Sequence, residues 1–539
     1  MKLVSQFQDK RSFEYKYIFP EQEYKLKKGR SVIIANNNDP ERADYAGTIQ
    51  ALDQINRTIV LRKGISKEQK QLPRTLSIGE KVMEQSRFNN LNQNIYNFCE
   101  NILENKKGYE ALKSFLNRDI PNIKGINPGS KIINSENFDK EIPDIISRLN
   151  SSYIFLQGPP GTGKTFQSGN AIVELIKNKK RIAITANSHK VIHNLLERVE
   201  KIAKKQNVLF NGLKMGNPDN EDTFYKGKLI KTDKNEKHYI DGLKERDILL
   251  YAGTKYHLSQ WYYRSKIDYL FIDEAGQISL ADLIALGGIA KNIILVGDQQ
   301  QLKQPSQGNH PGSSGTSVLD YLLEGKDTVE PEKGIFLNRT FRMHPNINSF
   351  VSDNFYENKL LTNPENKNRK IELPPNFYID KEGIHTIMMD HEDCAQTSEE
   401  ELKKIDEIIK KLIGKKFTDA DKKERPLVIE DFLIVSPYNA QVNFLLARLP
   451  EGTRCGTIDR FQGQQAPVTI ISMTSSDLES LPRDKSFFFN RNRLNVAISR
   501  AQCLSIILFN PKLLESPPKT YEEFQMINNF QKLLKYKKN

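Results

Sequence analysis

The sequence predicts an α/β protein: two domains built on parallel sheets, preceded by a small β unit and a helical segment. Three observations predict it. Short apolar runs recur at 153–156, 181–185, 269–272 and 293–296, and again at 432–435, 468–471 and 504–508; strands buried on both faces of a parallel sheet have this pattern. Stretches with apolar residues at helical spacing lie between the runs, the alternation expected of a sheet covered by helices. The third observation is the octapeptide GPPGTGKT, Gly158 to Thr165, between the first run and a helical stretch over 164–177. It fits G-x-x-x-x-G-K-[ST] in the strand–turn–helix context that this motif needs.

Taken in order, residues 1–85 alternate extended pieces (31–34, 47–52, 58–62) with turn-rich ones (36–39, 53–56), which predicts a small β-barrel or hairpin sheet. From 87 to 118, Leu91, Ile95, Phe98, Ile102, Leu103, Leu112 and Phe115 recur at helical spacing. One or two helices are expected, a stalk and linker over 86–141 that ends in a polar loop at 122–140. The first sheet domain is expected at 142–330, with a helix over 188–204. Its polar stretch 205–246 reads as an insertion, until 248–251 resumes as strand. The second is expected at 331–539, with helices over 396–415, 439–449, 492–501 and 520–537 and no phosphate loop of its own. No repeat of solenoid length is visible.

Lys and Arg number 80 against 67 acidic residues, a formal net charge of +13. Such an excess fits a polyanionic partner such as nucleic acid, and equally a Lys-rich background composition. No apolar run reaches the roughly 18 residues that span a bilayer, and the first residues carry no apolar core of a signal peptide, so no membrane partner is expected. The four cysteines, Cys99, Cys394, Cys455 and Cys503, lie far apart. Without C-x-x-C pairs neither a disulfide framework nor a zinc site is expected, and a cytoplasmic location is the default.

The chemistry starts at the octapeptide. Gly158, Pro159, Pro160, Gly161, Thr162 and Gly163 form a turn that can aim backbone N–H groups at phosphate oxygens, and the helix N-terminus behind it adds its positive end. Lys164 is expected to reach the outer phosphates of a nucleoside triphosphate, and Thr165 to hold Mg2+ through its hydroxyl. A surface turn would need neither the strand before nor the helix after. Asp273 and Glu274 follow directly on the run 269–272. One acid would hold Mg2+ and the next would polarise the attacking water; the bland alternative is an acidic helix cap. Gln301, in GDQQQL, follows another strand, where ligands bind in open parallel sheets, and is the candidate γ-phosphate sensor. Arg342 in TFRMHP and Arg500 in RLNVAISRA are candidates to stabilise charge on a transferring phosphoryl group; both could equally be surface arginines.

In chain order the sequence carries GPPGTGKT, ITANSHKVIHNLL, AGT, FIDEAGQ, GDQQQL, TFRMHP, VSPYNAQ, TIDRFQGQQAPV and RLNVAISRAQ. This series resembles that of superfamily 1 helicases, in the branch of the nonsense-mediated-decay RNA helicase and the DNA-flap nuclease–helicases. More narrowly, ANSHKVIHNL, DEAGQISLADLIAL, FQGQQAP and FFNRNRLNVAISRA are similar to bacterial proteins that join a RecB-like nuclease to such a helicase. The likeness is strong over 142–515 and weak over the N-terminal β unit, which is similar to a stalk-mounted β-barrel of that branch. The resemblance implies two RecA-like domains with ATP and Mg2+ between them. It implies the roles above for Lys164, Thr165, Asp273, Glu274 and Gln301, and makes Arg342 and Arg500 arginine fingers. Phe341 would stack on the base, and Gly463 and Gln465 would lie at the nucleotide. Ser188, Thr254, Tyr438 and Thr457 would touch the backbone of single-stranded nucleic acid, DNA favoured over RNA, traversed 5′ to 3′ in repair or defence.

Three departures qualify the likeness. Gln465 stands where the branch usually has Glu, which puts turnover and coupling in question. The upstream glutamine that would read adenine is not found; Gln157 adjoins the loop but is not placed like it, so GTP stays open beside ATP. The Asp and Glu-x-Lys pattern of the nuclease is not found before residue 150. That leaves a fragment, a motor with a separate nuclease partner, or a lineage without one. A strand-stepping helicase is the expectation; an ATP-gated clamp that barely unwinds is its rival, and an NTPase independent of nucleic acid the third reading.

Overall fold

The structure, a computed structural model, describes all residues except 10–11, 21–27, 30, 35–44, 54–55, 65–71, 81–88, 136, 303–310, 462, 478–489, 516–519 and 536–539. The chain forms two compact units, Met1–Arg87 and Phe88–Asn539.

The first unit is a sheet of β1 (Lys2–Asp9), β2 (Ser12–Ile18), β3 (Ser31–Ile34), β4 (Tyr45–Asp53), β5 (Thr58–Gly64) and β6 (Ile78–Glu80), in the order β1-β2-β5-β4-β3-β6. Its neighbouring strands run antiparallel. Period-two alternation buries Tyr15, Tyr17, Ile59, Leu61, Val32 and Ile49 together, as a sheet with one covered face requires. At the β1 edge, Leu3 N–H donates to Arg74 O at 2.8 Å and Leu76 N–H to Met1 O at 3.0 Å. The chain leading into β6 thus also meets β1. The extended pieces expected at 31–34, 47–52 and 58–62 lie in β3, β4 and β5. The turn at 36–39, and part of that at 53–56, lie outside the described residues.

The second unit holds two α/β lobes. In the first lobe, β7 (Tyr153–Gln157), β8 (Ile182–Thr185), β9 (Asn211–Met215), β10 (Ile230–Asp233), β11 (Ile248–Ala252), β12 (Ile267–Ile272), β13 (Ala290–Gly297) and β14 (Gly334–Phe336) line up as β10-β9-β11-β8-β12-β13-β7-β14. Their pairings are parallel. Alternate residues of β7 serve opposite faces: Ile154 and Leu156 join the core beneath helices Phe138–Ser147, Lys164–Lys177 and His189–Lys205, while Tyr153 and Phe155 join that beneath Asn89–Leu103, Glu110–Leu116 and Leu280–Gly287.

The structure departs from the sequence reading at four places. Residues 205–246 are no insertion outside the sheet: they supply β9, β10 and helix Glu236–Glu245. In Asn211-Gly212-Leu213-Lys214-Met215 a buried lysine breaks the apolar run, and its Nζ is satisfied by Thr223 O. The helical pair Asn89–Leu103 and Glu110–Leu116 packs on the first lobe. Asn94 Nδ2 donates to Ser259 O (2.9 Å) and Ala285 O (3.0 Å), and Phe115 meets Tyr153 edge-on at 5.3 Å; Leu103, expected in the apolar face, is 85% exposed. The loop at 122–140 contributes Ile123, Ile132 and Ile133 to the core, and the helix after it begins at Phe138. Lastly, the first sheet continues past residue 330, because β14 pairs with β7.

In the second lobe, β15 (Arg339–Thr340) pairs with β16 (Leu361–Thr362), and β17 (Lys370–Ile371), β19 (Lys416–Thr418) and β20 (Glu424–Pro426) form a ribbon. The main sheet is β18 (Gly383–Met388), β21 (Phe432–Val435), β22 (Arg454–Gly456), β23 (Ala466–Ser472) and β24 (Ala501–Phe509), ordered β18-β24-β23-β21-β22 and parallel throughout. Helices Pro345–Phe355, Arg491–Ile498 and Tyr521–Lys535 cover one core, and Glu399–Leu412 and Asn439–Leu446 the other. Among the described residues, no helix is long and apolar enough to cross a membrane.

Candidate functional site

The octapeptide turns sharply out of β7. Gly161 and Gly163 sit at φ +77° and +85°, a region L side chains rarely adopt, and Gly163 starts helix Lys164–Lys177. A Cβ on Gly158 would collide with the stem of Lys164, whose Nζ donates to Gly158 O. The ammonium therefore lies inside the turn. Its charge is felt by two buried carboxylates, Asp273 and Asp298, which stand just past the carboxyl ends of the neighbouring strands β12 and β13.

Asp273 N–H donates to Thr185 O at 2.9 Å, and Asp273 Oδ1 accepts from Glu274 N–H at 2.9 Å. Burial, and then the charge of Glu274, push the Asp273 carboxyl up to about 7 against the pull of Lys164. Glu274 itself has φ +52°, a left-handed backbone that costs a non-glycine residue about 1 kcal/mol or more. Gln301 is buried, its amide donating to Asp298 Oδ2 at 3.0 Å. Gln157 is spent inside the lobe: its amide reaches Gln299 Oε1 (3.0 Å) and Asp327 O (2.9 Å), and its carbonyl accepts from Val329 N–H (2.7 Å).

Residues 339–342 bring the second lobe onto the turn. Thr340 Oγ1 donates to Pro160 O and Phe341 N–H to Gly161 O, both at 2.9 Å. A Cβ on Gly161 would sit 2.4 Å from Arg342 Cβ, so glycine is required there by contact as well as by φ. Phe341 leaves its ring 55% exposed beside the loop. Arg342 Nε donates to Gln465 Oε1 (2.8 Å) and its Nη1 to Ser499 O (3.1 Å). Arg500 Nη1 donates to Gln464 O (3.2 Å), while its buried Nε has no hydrogen-bond partner among the described residues. Burial, helped by the charge of Arg500, pulls the Arg342 guanidinium down to about 9. Burial pulls Arg500 down to about 10, opposed by Glu274. Neither arginine is a loose surface cation. Gly463 has φ +77°, and no atom of the described residues would lie within 4 Å of a Cβ there; its neighbour Gln462 lies outside the described residues.

The four residues expected at nucleic acid stand just beyond the carboxyl ends of strands: Ser188 after β8, Thr254 after β11, Tyr438 after β21 and Thr457 after β22, the edge where open sheets bind ligands. Ser188 also caps its helix, accepting from Val191 N–H at 3.3 Å. The side chain of Tyr438 is 1% exposed and packed in the second-lobe core, with Ser475 Oγ 3.5 Å from its hydroxyl. The helix behind Ser188 carries His189 and His193, whose rings lie 6.2 Å apart against Tyr225 and the buried Lys214. Past the short helix Lys255–Leu258 that Thr254 precedes comes Trp261, the chain's single tryptophan, 71% exposed. Tyr356, Arg491, Asn492 and Asn495, which join the lobes, have no role assigned from sequence; the last three lie within FFNRNRLNVAISRA, the signal that could have found them, while Tyr356 lies in no such motif.

Residues 145–313 and 315–512 each match a family described as an AAA domain. The chain is 25% identical over 384 residues to the DNA replication ATP-dependent helicase/nuclease dna2 of Schizosaccharomyces pombe, covering 68% of this chain and 27% of that protein. It is 26% identical over 440 residues to the regulator of nonsense transcripts 1 of Dictyostelium discoideum, covering 70% and 31%. With the DNA polymerase alpha-associated DNA helicase A of Saccharomyces cerevisiae the figures are 25% over 501 residues, 77% and 68%. The chain thus spans less than a third of the first two relatives. With parallel sheets and helices in both lobes, these matches fit two RecA-like domains, and the chain belongs to the superfamily 1 helicases of the nonsense-transcript-regulator type.

Proposed function

We propose that the chain is an ATP-driven translocase or helicase on single-stranded nucleic acid, DNA favoured over RNA, moving 5′ to 3′. The observation that carries this reading is the convergence of Arg342 and Arg500 on the side of the first lobe that holds Lys164, Asp273 and Glu274. Cations from one lobe and acids from the other make hydrolysis depend on how the lobes are set. In this reading the turn 158–163 and Lys164 bind the triphosphate, Glu274 orients water, and Phe341 stacks on the base. Thr165 and Asp273 would hold Mg2+. The donors suit it, since a hydroxyl and a buried carboxylate offer a hard cation oxygen ligands. When bound, the ion withdraws charge from the triphosphate. Ser188, Thr254, Thr457 and the segment at Tyr438 contact the strand. The dna2 relative is named a helicase/nuclease; a nuclease partner and a role in DNA repair extend the proposal.

The test is ATP hydrolysis with and without poly(dT) or poly(U), followed by unwinding of duplexes with 5′ or 3′ tails. Stimulation is expected with DNA, and unwinding from the 5′ tail. Lys164→Ala should lower stimulated hydrolysis by about a hundredfold or more and leave strand binding within about threefold. Undiminished hydrolysis in that variant removes the proposal. The clamp reading is favoured by one observation, the neutral amide of Gln465 on Arg342; tight ATP-dependent strand binding with negligible unwinding would select it.

A further inference from the structure

We propose that the second lobe governs Gln301 directly, through Tyr356, Asn492 and Asn495, so that the Asp298–Gln301 loop senses whether the lobes are together. The proposal rests on the reading of the chain as a nucleotide-driven motor and deepens it.

Three successive backbone carbonyls of the loop are taken by second-lobe amides. Asn492 Nδ2 donates to Gln299 O (2.7 Å) and Gln301 O (2.5 Å), and Asn495 Nδ2 to Gln300 O (2.9 Å). Both asparagines sit on helix Arg491–Ile498, three residues apart and so on one face. That helix leads directly to Arg500, so amides and arginine move as one piece.

A second connection runs through side chains. Asn495 Nδ2 also donates to Tyr356 Oη (2.9 Å), and Tyr356 O–H donates to Asp298 Oδ2 (2.7 Å). Gln301 Nε2 donates to that same oxygen (3.0 Å). Tyr356, Asn495 and Asp298 are 0–2% exposed and Gln301 is 7%, so no water substitutes for a lost partner and each bond counts.

One carboxylate oxygen is thus shared by two donors from different lobes. With Tyr356 in place, the grip of Asp298 on Gln301 is divided, and the Gln301 amide can turn to a phosphate oxygen. With Tyr356 withdrawn, Asp298 holds Gln301 alone. Tyr356 and the two asparagines are positioning residues; they act through Gln301.

The test is steady-state ATP hydrolysis with poly(dT), in the full chain. Tyr356→Phe removes only the hydroxyl. It should lower stimulated kcat about tenfold with KM for ATP within about twofold, and change kcat less than about twofold in a Gln301→Ala background. Asn492→Ala, at a half-exposed position, is the second variant and should show the same non-additivity if Tyr356→Phe fails to fold. Effects that multiply with Gln301→Ala, or that fall on KM, overturn the proposal while the motor reading stands. A wild-type chain whose hydrolysis no strand stimulates removes the motor reading and this proposal together.

Discussion

At Gln465 a neutral amide receives the Nε–H of a guanidinium that burial and a second arginine already make uncomfortable. A carboxylate in its place would accept a charge-assisted bond, worth about 1 kcal/mol more than the neutral one, and would offset the Arg500 repulsion. Gln465→Glu should therefore raise the melting temperature of the nucleotide-free chain by roughly 2 °C. It should also shrink the further rise on adding a non-hydrolysable ATP analogue, because Arg342 must leave the carboxylate to serve a phosphate. Thermal unfolding with and without the analogue reads both effects, and unchanged melting counts against the pairing. The sequence marks this residue as a departure and, by resemblance, as a neighbour of the nucleotide; its contact with Arg342 is not legible there. The same divide runs through the site. Gly158, Lys164, Thr165, Asp273 and Glu274 announce themselves because their chemistry depends on neighbours in the chain. Tyr356 and Asn495 acquire meaning from Asp298 and Gln300, 58 and 195 positions away, and no local pattern encodes such a distance.

Among elements, the central strands were readable because both their faces are covered, leaving unbroken apolar runs such as 153–156. The outer strands β9 and β10 were not, because Lys214 and the polar Lys231-Thr232-Asp233 interrupt the pattern. These outer segments cover the start of helix His189–Lys205. There, burial and then the charge of Lys214 hold both His189 and His193 down at about 4, with Asp222 pulling the other way on His189. Since the folded values lie below the ordinary 6.5, the unfolded chain binds more protons in between. Stability from this pair is fully present above pH 6.5 and lost as pH falls from there through about 4. Urea unfolding at pH 7.5 and pH 5 should show a fall in midpoint that is smaller once both histidines are replaced by glutamine. An equal fall in the double variant would mean that other groups carry the acid sensitivity.

For the molecule as a whole, the lobes are joined near the nucleotide site by a two-pronged ion pair: Arg491 Nη1 and Nη2 donate to Asp327 Oδ1 and Oδ2, each at 2.9 Å, and Nη2 also reaches Asn354 O at 2.6 Å. The pair is about one-third exposed, so solvent screening limits its coupling to roughly 1 kcal/mol. A double-mutant cycle of Arg491→Ala and Asp327→Ala, followed by thermal unfolding, should recover about that figure. A coupling near zero would leave lobe association to the other contacts, among them those of the asparagines, Tyr356, Thr340 and Phe341. The division into two sheet domains was legible because apolar runs recur in two sets. The boundary was blurred because β14 returns to the first sheet after a long excursion, and a three-residue strand carries no periodicity. Trp261 has a different consequence. Being solitary and exposed, it makes ultraviolet emission from indole a single-address reporter, with no other such ring to dilute it. Changes in its colour or brightness can be assigned to one turn of the first lobe without attaching any dye.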